Sequence, residues 1–116
     1  YLLFLQETDV KNQFRLCVSV SLNGNPADSE ENELVWDEFK SESLPNLSTL
    51  SINQYLVSFV VKGAMRKSKT IEKLQTLITD LVAFLETHHF VQVCAYSGQE
   101  GPVGLYQLGD SIFLIN

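Results

Sequence analysis

Phe14, Leu16, Val18, Val20 and Leu22 alternate with Arg15, Cys17, Ser19 and Ser21, the period of two expected of a strand with one face on a core. That phase places Cys17 with Arg15 and Ser19, either opposite the main core or under a second layer. Asn23-Gly24-Asn25-Pro26 stops the strand, because Gly and Asn accept turn dihedrals and Pro has no N–H for a ladder. Tyr55, Val57, Phe59 and Val61 alternate with Leu56, Ser58, Val60 and Lys62 as far as Gly63. This predicts a strand apolar enough on both faces for the middle of a sheet. Residues 1–5 form a short unbroken apolar run, as in a strand covered on both faces. Residues 90–96, 103–108 and 112–115 predict three more strands, separated by turn-forming residues 97–102 and by Gly109-Asp110.

A different period governs residues 70–87. Ile71, Leu74, Leu77, Ile78, Leu81, Val82 and Leu85 recur at the i, i+3, i+4, i+7 spacing of a helix with one buried stripe, and Phe84 lies at its edge. Ser68 or Thr70 is placed to cap the first turn, and His88 and His89 stand where positive charge suits the carboxyl end of the helix dipole. Connections this short join antiparallel neighbours. The expected fold is therefore α+β: an antiparallel sheet of about five to six strands with one long amphipathic helix packed on one face, a two-layer sandwich.

One stretch fits neither period. Asp28, Glu30, Glu31, Glu33, Asp37, Glu38 and Glu42 are half of the chain's fourteen acidic residues, and Leu34, Val35, Trp36 and Phe39 interrupt them. The stretch is either a short helix over residues 33–41 or an arm that docks on something else. Residues 43–51 read as irregular, since Pro45 drives Leu44 out of helical dihedrals.

The composition narrows the function classes. The chain has 116 residues, 45% hydrophobic and 19% charged, enough apolar material for one core in one domain. Its formal charge of −6 opposes a phosphate backbone, so general nucleic-acid binding is not expected. No apolar run approaches the roughly 20 residues that span a bilayer, so no membrane span is expected. The opening Tyr1 suggests a piece of a longer chain. Two cysteines, Cys17 and Cys94, are too few for a disulfide framework, and each sits in an apolar segment where a reduced thiol is usual. This favours a soluble, intracellular protein. Asn46-Leu47-Ser48 matches a glycosylation acceptor, which has meaning only in a secreted chain.

Catalytic and metal-binding patterns are sparse. His88 and His89 precede Cys94, but adjacent histidines at a helix end point in different directions, and a zinc site needs about four converging ligands. Gly98, Gly101 and Gly104 lead into a strand rather than a helix, so they read as hairpin turns and not as an anion loop. No G-x-S-x-G, H-E-x-x-H, paired C-x-x-C or G-K-[ST] occurs, and nothing calls for a cofactor or a structural metal. Lys62, Arg66, Lys67, Lys69 and Lys73 gather five of the eight basic residues at the start of the long helix. They form either a solvated connection or a contact for an acidic partner, the chain's own residues 28–42 included. Lysines at a helix N-terminus oppose its dipole, which favours an external anion there.

These patterns predict a non-catalytic protein-interaction domain or complex subunit. Its partner surface is expected to include Glu30, Glu31, Glu33, Leu34, Trp36, Phe39, Arg66, Lys67 and Lys69, facing another protein with a basic surface. The apolar area of Leu34, Trp36 and Phe39 could equally close the domain's own core. Self-association remains open. The rival expectation is a small enzyme or ligand-binding domain using His88, His89 and Cys94.

Overall fold

A computed structural model describes residues 1–43, 50–64, 67–93, 104–108 and 111–115. Its elements are β1 (Leu2–Glu7), β2 (Gln13–Leu22), β3 (Asn25–Pro26), α1 (Glu30–Ser43), β4 (Leu50–Asn53), β5 (Leu56–Lys62), α2 (Ser68–Thr87), β6 (Val91–Gln92), β7 (Gly104–Leu108) and β8 (Ser111–Ile115). The main sheet runs in the order β4-β5-β2-β1-β8-β7, while β3 and β6 pair with β2 outside this path. The two-layer α+β architecture expected from the sequence is present. Every pairing is antiparallel except one: β1 runs parallel to β8.

Alternation along β2 has the predicted result. Phe14, Leu16, Val18, Val20 and Leu22 are all buried. The register stacks them into rows across the sheet: Leu5, Leu16, Phe59 and Leu50 in one, and Leu3, Val18, Val57 and Ile52 in the next. Against these rows lies the buried stripe of α2, formed by Leu74, Leu77, Ile78, Leu81 and Leu85. Ile71, expected in the stripe, is 39% exposed, and the inward position at that end belongs to Thr70. Cys17 sits between Phe4 and Ser58 on the other face of the sheet, yet it too is buried.

Several turns differ from expectation in instructive ways. Asn23 and Gly24 both have positive φ and connect Leu22 to its partner Asn25, a two-residue hairpin turn rather than a simple stop. Gln54, with φ of 56°, turns the chain between β4 and β5, so a strand begins at Leu50 inside the stretch read as irregular. Ile52 is half-buried there and shares a row with Val57, a pairing that four residues of unremarkable composition do not announce. The strand expected over residues 90–96 is only Val91–Gln92 within the described residues, with Phe90 in the core and Val91 and Val93 exposed. Cys94 lies outside the described residues, as do most of the turn residues 97–102.

The second helix is the main addition. α1 spans fourteen residues, longer than the short helix weighed for residues 33–41. Glu30, Glu31 and Glu33 occupy its first turn, where negative charge suits the helix dipole. Asn32, Trp36 and Phe39 recur at i, i+4 and i+7 and are buried. Two side chains and a turn fix how the helix starts. Asn32 Nδ2 donates to the Pro26 carbonyl at 3.0 Å. The Gln54 N–H donates to the Asp28 carboxylate at 2.7 Å, and the Asp28 N–H donates to the Gln54 carbonyl at 3.1 Å. These bonds tie the beginning of α1 to the β4–β5 turn and make the acidic segment part of the fold.

Candidate functional site

Of the residues expected at a partner surface, α1 divides the hydrophobic ones. Trp36 and Phe39 are each 2% exposed and cannot be offered to a partner in this structure. Their rings belong to an aromatic cluster that joins both helices to the sheet. Trp36 lies 5.1 Å from Phe84, 5.2 Å from Phe90 and 6.1 Å from Phe39, centroid to centroid. Phe39 in turn lies 4.7 Å from Phe84 and 5.7 Å from Phe59 of β5. Both residues are therefore withdrawn from the partner surface, because the helical phase that points Asn32 inward points them inward too. Trp36 Nε1 and Ser29 Oγ are buried there without a hydrogen-bond partner.

Leu34 takes the opposite direction and is 79% exposed, the most exposed large hydrophobic side chain among the described residues. On a helix its surface neighbours are the residues three and four positions away. These are Glu30, Glu31, Asp37 and Glu38, all exposed. Glu33, beside Leu34 in sequence, is exposed as well, and it forms a like-charge i, i+4 pair with Asp37 that weakens the helix slightly. The outward face of α1 is thus one leucine ringed by carboxylates. Its charges past the first turn do nothing for the helix.

The basic cluster lies elsewhere, at the start of α2. Lys62, Lys67, Lys69 and Lys73 are exposed, and Arg66 falls outside the described residues. Among the described residues no salt bridge joins these lysines to the carboxylates of α1, so the intramolecular contact considered from sequence is not made. The expected cap is also different. Lys67 is the N-cap residue and makes no side-chain capping bond, Ser68 is the first helical residue, and Thr70 is buried in the first turn.

His88 and His89 end α2 rather than form a reactive pair. His89 has φ of 63°; its N–H donates to the Glu86 carbonyl at 3.1 Å and the Phe90 N–H donates to the Leu85 carbonyl at 2.9 Å. This is the Schellman arrangement, with His89 in the left-handed position that glycine often fills and buried Phe90 packed back on Leu85. The His88 ring stacks at 4.6 Å on Phe84. Among the described residues, no three His, Cys, Asp or Glu side chains come together closely enough to hold a metal ion.

Cys17 is a further group to be placed. Burial raises its thiol pKa from 9.0 to about 11, against a smaller lowering by Arg15. The thiolate is the reactive form, so the folded protein should resist alkylation at Cys17 at pH 8. Mapping of modified peptides by mass spectrometry would check this, and rapid labelling of Cys17 in the native protein would contradict it. The linkage sign follows from the raised value. Folded Cys17 keeps its proton to higher pH than the unfolded chain, so its contribution is full below about pH 9 and is lost as pH rises toward 11.

No family model matches this chain, and no curated protein or solved structure is similar to it. Among the described residues, no helix is long and apolar enough to cross a membrane.

Proposed function

We propose that this chain is a non-catalytic protein-interaction domain that receives a basic partner on the outward face of α1. The observation that carries the reading is Leu34, 79% exposed, with Glu30, Glu31, Asp37 and Glu38 at the four neighbouring helical positions. An exposed leucine by itself needs no explanation. Set within carboxylates, it suits a partner whose lysines or arginines surround an apolar side chain. Apolar contact then supplies affinity, and the charges supply orientation and rate.

Two variants separate this role from a structural one. Leu34→Ala should change stability by no more than about 0.5 kcal/mol, as for a surface substitution, while weakening partner binding. Replacing Glu30, Glu31 and Glu33 together by Gln should slow association without unfolding the protein, and association of the parent protein should slow as salt rises through the physiological range. Stopped-flow or surface-binding kinetics with the captured partner would measure both. Association that ignores salt, or binding unchanged by Leu34→Ala, would remove the proposal.

A further inference from the structure

The start of α2 concentrates positive charge in a chain whose net charge is −6. Strand β5 ends at Lys62, Gly63 turns the chain, and α2 opens with Ser68-Lys69-Thr70. First-turn amides of a helix lack intrahelical acceptors and carry the positive end of its dipole. No side chain caps them here, and no acidic residue stands in the first turn. α1 shows the contrast, with three glutamates in the same place. Exposed Lys62, Lys67, Lys69 and Lys73 add to a potential that an anion would relieve.

Thr70 supplies an independent observation. It is 4% exposed and is one of two buried polar residues among those described. The other, Asn32, has its amide bonded to Pro26. Among the described residues no hydrogen bond engages the Thr70 hydroxyl. Helical side chains lean toward the N-terminus, and a Cβ built on Gly63 would collide with Thr70 Oγ1. The hydroxyl therefore faces the strand-to-helix turn, buried and without a partner. Gly63 is required for that approach, and its φ of 132° is one that other residues rarely adopt.

We propose that the amino end of α2 binds one phosphoryl group of a small phosphorylated ligand in free solution. The Ser68, Lys69 and Thr70 amides and the Thr70 hydroxyl donate to its oxygens, and Lys69 supplies charge. A glycine after a strand, four residues, and then a small residue, Lys and Thr opening a helix is the residue order of a phosphate cradle. Ser68 stands where that cradle has a second glycine for close backbone approach, which fits a single phosphoryl group better than an enwrapped triphosphate.

The test is a titration of 15N-labelled protein with inorganic phosphate and with glycerol 3-phosphate at constant ionic strength. Saturable shifts are expected at the Ser68, Lys69 and Thr70 amides. Affinity should fall about tenfold or more in Thr70→Val, which keeps the side-chain shape, and in Lys69→Ala, which alters only an exposed side chain. If Thr70→Val does not fold, Lys69→Ala decides. Shifts that do not saturate, shifts spread evenly over all the lysines, or unchanged affinity in the folded variants would overturn the site. A parallel arm uses phosphatidylcholine vesicles with and without phosphatidic acid. Binding to the acidic vesicles with no response to either free phosphate would assign the chemistry to a lipid headgroup and overturn the proposal of a free ligand.

Discussion

Replacing Trp36 by Ala should lower the free energy of unfolding by about 3–5 kcal/mol, the range for truncating a buried large aromatic side chain. The indole is 2% exposed and touches rings from α1, α2 and the segment after α2, so its removal opens a cavity where three parts of the chain meet. Trp36→Phe should cost less. It retains an aromatic ring and removes the Nε1–H, which is buried without a partner and so carries a penalty of about 1–3 kcal/mol in the parent protein. Urea or guanidinium denaturation followed by far-UV circular dichroism would give both values. A Trp36→Ala protein with the parent midpoint would show that the ring is not part of the core, and with it the division of α1 into inward and outward faces would fail.

Leu81→Ala should cost about 2–5 kcal/mol by the same reasoning applied to an aliphatic side chain. Leu81 is completely buried in the middle of the α2 stripe. Its natural control is Ile71, on the same helix and of similar size but 39% exposed. Ile71→Ala should cost markedly less, since much of that side chain already contacts water. Equal midpoint shifts for the two variants would contradict the rotation of α2 about its axis.

The legible parts of the fold were those with a long, clean period. Residues 14–22 repeat the two-residue alternation of a strand, and residues 70–87 carry enough turns of helical spacing to define a face, so both appeared correctly in sequence and their packing follows. β4 did not, because its burial depends on a partner strand and its own composition holds no alternation strong enough to show it. The parallel pairing of β1 with β8 was equally hidden: residue order specifies local turns, whereas the neighbour of a strand is a choice made by the whole sheet.

The candidate surfaces were legible in part for a related reason. The two charge clusters are visible in any reading of the chain, but which hydrophobic residues of residues 28–42 face outward depends on helical phase. Once the segment is a helix, burial of Asn32, Trp36 and Phe39 turns Leu34 to solvent. Before that, Trp36 is the more conspicuous candidate, as an isolated tryptophan among carboxylates. Thr70 carried no signal at all, because a threonine near a helix start reads as a cap; only its burial against Gly63 shows that it is something else.

The parallel pair also bears on how the chain reaches this structure. Leu2 aligns with Ile112 and Leu5 with Ile115, so the ladder between them closes a loop containing nearly every other element. The β2–β5, β1–β2 and β7–β8 ladders join much nearer segments and can form while that loop is still open. Closing a long loop costs entropy before its contacts return any energy. The β1–β8 ladder is therefore the step expected to come late in folding, and until it forms the free side of β1 presents unpaired N–H and C=O groups to other chains. A newly made molecule is most vulnerable to strand exchange with its neighbours during that interval.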